Sequence, residues 1–266
     1  MTWEWQVFLT DDGSGRTYLE WIIQAWGWTL SVAACAWVLS VSVGFIVGTM
    51  RTFTKYPAVV LFGNIWVELF RNIPILVQVF LWYFVLPRIF TSMQQWSGFV
   101  LVVLALGFFT SSRIAEQVKA GINALPRGQS MAALALGLTS IQSYRYVILP
   151  MALRIILPPL TSESMNLLKN SSVAFAVSIP ELTMFAMQDQ EENSRGIEIY
   201  LAVTLLYAVS AFAVNRVMAA LERHLQIPGT GAGSRQNTQS SQEGRGNVAN
   251  GVASKGITLP SIGGGH

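Results

Sequence analysis

Long apolar runs separated by short polar stretches make up most of the chain, and five of these runs approach the roughly 20 residues that a helix needs to cross a hydrocarbon core of about 30 Å. The first, Ile22 to Met50, contains no charged residue. The second, from Tyr56 to Leu86, is interrupted by Glu68, Arg71 and Pro74, which predicts a broken or kinked helix pair. The third, Phe99 to Ser112, continues into Arg113 and Glu116. The fourth, Leu153 to Ile179, carries Pro158, Pro159, Glu163 and Lys169, and the fifth runs from Ile197 to Leu221. The pattern predicts an all-α membrane protein of about five transmembrane helices.

Three domains follow. Residues 1–21 form an external N-terminal segment and residues 22–228 the membrane domain, with a long polar connection over 119–152. Residues 229–266, rich in Gly, Ser, Gln and Asn, cannot bury enough apolar surface to fold and are expected to be a disordered tail. Arg51, Lys55, Arg113, Lys119, Arg127, Arg145, Arg154, Arg216 and Arg223 all fall on one side if the N-terminus is outside, so the C-terminus is expected in the cytoplasm. Gly44 and Gly48 form a small-xxx-small pair that lets a neighbouring helix approach closely.

Composition narrows the function. Charged residues are 12% of the chain against about 25% in soluble domains, which argues against an ordinary soluble enzyme. The 17 basic and 14 acidic residues are scattered, with no basic face for nucleic acid. One cysteine, Cys35, and two histidines, His224 and His266, are too few for a disulfide framework or a Cys/His zinc site. Val32-Ala33-Ala34-Cys35 superficially matches a lipoprotein box, but the leader is acidic and the apolar run continues to Met50. The glycines after residue 229 lack the Lys-Ser/Thr of a phosphate loop, so no ATP site is expected in this chain.

The connection between the third and fourth runs is the most informative part. In Gly128-Gln129-Ser130-Met131-Ala132-Ala133-Leu134-Ala135-Leu136-Gly137-Leu138, Ser130 suits an N-cap, Met131 to Leu136 are good helix formers and Gly137 is a stop. A short helix results, exposing small Ala132, Ala133 and Ala135 to a partner. Two alanines, a glycine four residues on and the Leu149-Pro150 pair a dozen beyond resemble the signature loop of ABC importer permeases. That resemblance implies a type I ABC importer permease fold whose cytoplasmic coupling helix docks on an ATPase through Gly128, Ala132, Ala133, Gly137, Leu138, Leu149 and Pro150. Met131 stands where that motif carries Glu.

Two further stretches narrow the family. Glu68-Leu69-Phe70-Arg71-Asn72-Ile73-Pro74-Ile75-Leu76-Val77-Gln78 resembles the second-helix motif of permeases that import polar amino acids, and Ser162 to Ser171 resembles their fourth helix. The likeness spans residues 3–229 and is nearest to a permease subunit of bacterial glutamate/aspartate importers. It implies a second permease subunit in a heteromer, a cytoplasmic ATPase dimer using ATP and Mg, a periplasmic amino-acid-binding protein and an inner-membrane location. No cofactor, metal or catalytic group is expected in this chain.

Ionisable residues inside spans are costly, so they pair, face water or mark a pathway. Glu68 and Arg71, three apart on one helix, suit an ion pair, while Arg71 also suits a gate for an anionic solute, with Asn72 and Gln78 beside it. Glu163, Asn166, Lys169 and Asn170 recur on one stripe whose carboxylate, amides and ammonium match the polar groups of an amino acid. Lys169 is the preferred contact for a solute carboxylate; a buried pair with Glu163 or with a partner subunit is the competing role. Two alternatives stay open: an ion-coupled secondary transporter, or another polar amino acid (glutamine, arginine, histidine) as substrate.

Overall fold

The computed structural model describes residues 5–11, 15–193 and 196–225. The chain divides into Met1–His224 and Leu225–His266, and the expected tail over 229–266 lies outside the described residues. Every long element described is a helix. Helix α1 (Tyr18–Met50) starts four residues before the apolar run because Thr17 closes a capping box: its hydroxyl accepts from the Glu20 amide, and the Glu20 carboxylate accepts from the Thr17 amide at 3.2 Å. Helix α2 (Pro57–Asn72) and the following helix α3 (Ile75–Ile89) meet at a bend of 104°. Pro74 drives Ile73 out of the helical region to φ −92°, ψ 129°, so the second run is a broken pair as its proline predicts.

Helix α4 (Gly98–Asn123) is the axis of the fold, packed against α1, α2, α3 and the later helix α6. It runs eleven residues past Ser112, where the sequence placed the end of the apolar run. The physical reason is visible in its buried face: Ile114, Ala115, Val118, Gly121 and Ile122 keep the helical period beneath the polar Arg113, Glu116 and Lys119. Residues 124–148 connect α4 to α6. Gly44 and Gly48 of α1 meet α4 at the spacing expected of them. A Cβ on Gly44 would lie 2.6 Å from Ile114 Cγ2, and one on Gly48 2.6 Å from Val118 Cβ.

After the short helix α5 (Arg127–Ala135), a helical turn at Ser140–Ser143 widens into a π-helical turn, Tyr144–Ile148, and continues as α6 (Leu149–Asn170). The same device occurs within α3, where Leu81–Val85 widens just before Leu86-Pro87. In both places the leucine amide bonds five residues back, Leu86 to Leu81 and Leu149 to Tyr144, immediately before a proline that has no N–H to give. The paired Leu-Pro steps therefore enter their helices without a break.

A 3-10 segment (Ser171–Val177), α7 (Leu182–Asn193) and α8 (Gly196–Leu225) complete the body. Glu181 caps α7, accepting from the amides of Thr183 at 2.9 Å and Met184 at 3.0 Å, and ties it to α8 by accepting from the Tyr207 hydroxyl at 2.8 Å. Helices α1, α4 and α8 are long and apolar enough to cross a membrane, and α2 with α3 qualifies as a bent pair. Helix α6 is the fifth long element and the most polar, because Arg154, Glu163, Asn166, Lys169 and Asn170 all lie in it.

Candidate functional site

Charged groups at the end of α1 and in α2, α4 and α6 form two networks that meet at α4. In the first, Glu116 Oε1 accepts from Arg51 Nη2 at 2.9 Å and lies 3.5 Å from Arg71 Nη1. Arg71 also sits 3.9 Å from Glu68, whose other oxygen accepts from the Asn72 amide at 2.7 Å. Arg51 is buried and donates from Nε to Asn64 at 2.8 Å. The expected Glu68–Arg71 contact is thus one edge of a larger network, and Arg71 remains 46% exposed.

Gln78 has a different placement from Arg71 and Asn72. It is 1% exposed, and its amide nitrogen donates to the carbonyls of Phe70 at 2.7 Å and Ile73 at 2.9 Å. These are carbonyls at the end of α2, left open by the break at Pro74, so Gln78 staples the bend closed. Its donor capacity is spent there. Its Oε1 is buried with no partner among the described residues.

In the second network Arg113 of α4 grips Glu163 of α6 with two bonds, Nε to Oε2 at 2.8 Å and Nη2 to Oε1 at 2.9 Å. Gln117, one turn along α4, donates to Glu163 Oε1 at 3.2 Å. The bidentate geometry is the strong form of a carboxylate pair. The Glu163 side chain is 7% exposed and that of Arg113 43%. Arg113 is the partner of Glu163, and Lys169 is not: Lys169 is exposed and makes no ion pair among the described residues.

The polar positions of α6 therefore do not all face one way. At 3.6 residues per turn Glu163, Asn166 and Asn170 fall within about 60° of one another, while Lys169 stands about 120° from Glu163. Asn166 and Asn170 are half-buried. Arg113, Glu116, Gln117 and Arg51 are the members that sequence reasoning did not place in a site. The available signal was the apolar period continuing through Ile114, Val118 and Ile122, which puts Arg113 and Glu116 inside a helix rather than in a loop.

The segment around α5 departs from expectation at its start and agrees at its end. Helix α5 begins at Arg127, with Pro126 as N-cap, so Ser130 lies inside the helix and caps nothing; a proline needs no donor at this position and presets the entry. Gly137 is left-handed at φ +83°, the Leu138 amide bonds Ala133 O at 3.2 Å and the Gly137 amide bonds Leu134 O at 3.0 Å, which is a Schellman stop. Ala133 is buried, whereas Gly128, Ala132, Met131, Leu134 and Leu136 are exposed, Leu136 at 83%. The outward crest is thus bulkier than the alanine face expected. Leu149 packs into the core formed by α4 and α6, and Pro150 is exposed at the start of α6.

Tyr144 anchors this segment to the link between α1 and α2. Its hydroxyl lies 3.2 Å from Thr52 O and 3.1 Å from Thr52 Oγ1, and its ring packs 4.4 Å from Phe53. Beneath α5 is a cavity of about 540 Å³ lined by Thr52, Thr54, Asn123, Gln129, Ser130 and Tyr144 among others. No cluster of His, Cys, Asp and Glu able to hold a metal occurs among the described residues.

Known proteins share this architecture. The chain is 39% identical over 242 residues to the glutamate/aspartate import permease protein GltJ of Escherichia coli (strain K12), covering 87% of this chain and 98% of that protein. It is 33% identical over 199 residues to the probable amino-acid ABC transporter permease protein PatM of Vibrio harveyi, covering 75% and 89% of the two chains. A crystal structure of an amino acid ABC transporter with histidines superimposes with a TM-score of 0.68 at 28% identity, covering 84% of this chain and all of that one. An inward-facing MetNI methionine ABC transporter, at 18% identity and a TM-score of 0.68, shares the fold. The family model for binding-protein-dependent transport system inner membrane components matches residues 40–227, and the chain belongs to that family.

Proposed function

We propose that this chain is one of two permease subunits of an ATP-driven importer for polar amino acids, with glutamate and aspartate as its substrates. The observation that carries the proposal is α5: a helix with a fixed stop and an exposed apolar crest, followed by a turn that Tyr144 ties to the α1–α2 link. Such a crest suits insertion into a groove on a partner. The partner is an ATPase dimer in the cytoplasm, which uses ATP and Mg; a second, different permease subunit and a periplasmic amino-acid-binding protein complete the complex. The N-terminus lies outside and the C-terminus inside the bacterial inner membrane.

Movement of the ATPases displaces α5, and Gly128, Ala132, Ala133, Gly137, Leu138, Leu149 and Pro150 transmit the displacement to α6 and, through Tyr144, to α1 and α2. The solute passes Arg71, Asn72, Asn166, Lys169 and Asn170, with Glu163 and Gln78 beneath them. A half-exposed guanidinium such as Arg113, about 4 Å from the midpoint of its helix at 1.5 Å per residue, is costly against lipid and favours a wet or protein-covered face there. The 39% identity to a glutamate/aspartate import permease supports the substrate.

The test is reconstitution of the chain with its ATPase, second permease and binding protein in lipid vesicles. Glutamate uptake should require ATP and should stimulate hydrolysis. Uptake that survives ATP depletion and collapses with an ion gradient would indicate a secondary transporter instead.

A further inference from the structure

We infer that Arg113 sets the charge selectivity of the pathway by cancelling Glu163, leaving Lys169 as the net charge that a dicarboxylic amino acid neutralises. The inference rests on the proposed substrate class and pathway and assigns a residue that they do not include. Three observations carry it. Glu163 is nearly buried on the stripe and would by itself repel an anion. Arg113 holds both of its oxygens, at 2.8 and 2.9 Å, and Gln117 adds a neutral donor at 3.2 Å. Lys169 stands exposed with no ion pair among the described residues.

The charges then sum simply. Arg113 and Glu163 cancel, Arg51 and Arg71 are matched by Glu68 and Glu116, and Lys169 leaves one positive charge. A dicarboxylic amino acid carries one net negative charge, so the occupied pathway is neutral. A neutral amino acid leaves one positive charge unpaired and a basic one leaves two, which is discrimination by unpaired charge. Arg113 also keeps Nη1 unbonded among the described residues, a donor directed away from Glu163 for a carboxylate on the half-exposed side.

The test compares uptake of glutamate with uptake of glutamine, each delivered by a binding protein that carries it, in vesicles holding the complete complex at mildly alkaline pH. Arg113→Gln removes the cover and leaves Glu163 facing the pathway, so the glutamate-to-glutamine ratio of kcat/KM should fall about tenfold, one tenfold step in discrimination. Arg113→Lys should hold the ratio within about threefold of wild type, and adding Glu163→Gln to Arg113→Gln should restore it to the same range. A purely structural pair lowers both uptakes together and leaves the ratio unchanged; that result would overturn the inference. Wild-type vesicles that take up glutamine but no glutamate would overturn the substrate assignment beneath it, a separate and distinguishable failure.

Discussion

Gly48 lacks a side chain where Val118 and the Ala115 carbonyl occupy the space: a Cβ there would lie 2.6 Å from the one and 2.8 Å from the other, and the carbonyl is backbone that cannot swing aside. Gly48→Leu should therefore cost more than the usual 1–3 kcal/mol of core overpacking and lower the apparent melting temperature of the purified subunit, whereas Gly27→Ala, at a position with nothing within 4 Å, should leave it nearly unchanged. Single residues were legible in the sequence when their cue was local. The small-xxx-small pair, the stop at Gly137 and the kink at Pro74 are cues of one to four residues. Glu163 stood out as a carboxylate in a span, but its partner Arg113 is 50 residues away, and no local spacing encodes that meeting. Gln78 stood out as an amide in an apolar run, and only the path of the bend shows that its donor serves the carbonyls of α2.

At the scale of elements, what matters is how α5 is held. Its stop is a left-handed residue at φ +83° in open space, so a larger side chain at Gly137 meets backbone strain and no clash. Gly137→Val should cost roughly 1–2 kcal/mol locally, loosen the end of the helix and uncouple ATP hydrolysis from uptake while the protein still inserts. The measurement is the ratio of amino acid transported to ATP hydrolysed in vesicles, which should fall while expression in the membrane stays level. An unchanged ratio would show that the end of α5 carries no force. The helix was legible from its stop and not from its start: Ser130 has the right side chain for a cap, but Pro126 takes the cap position four residues earlier. The two Leu-Pro steps were visible as dipeptides, while the widened turns that accommodate them are a response of the backbone.

For the molecule as a whole, the helices differ in what they present. Helices α1 and α8 expose Ile23, Val38, Ile46, Leu205, Val209, Phe212 and Val217, side chains suited to lipid. The half-exposed charges Glu68, Arg71 and Arg113 belong to α2 and α4, and exposed Lys169 to α6. The apolar runs announced the number of long helices, since a hydrocarbon core imposes its own length scale. They carried the third run into Arg113 and Glu116 but did not announce that α4 reaches Asn123, because the second half of that helix buries an apolar face while charged side chains interrupt the run. Hydropathy averaged along a run merges the two faces, and only the helical period separates them.

The central claim is that a lipid-embedded scaffold is driven by a separate motor engaged at α5. It is tested most directly by a cysteine placed at Leu136, which is 83% exposed, in a chain whose exposed Cys35 has been replaced by serine. A membrane-impermeant thiol reagent should label Leu136→Cys from the cytoplasmic face alone, and bound ATPase should protect it. Labelling from the periplasmic face, or labelling indifferent to the ATPase, would contradict the account.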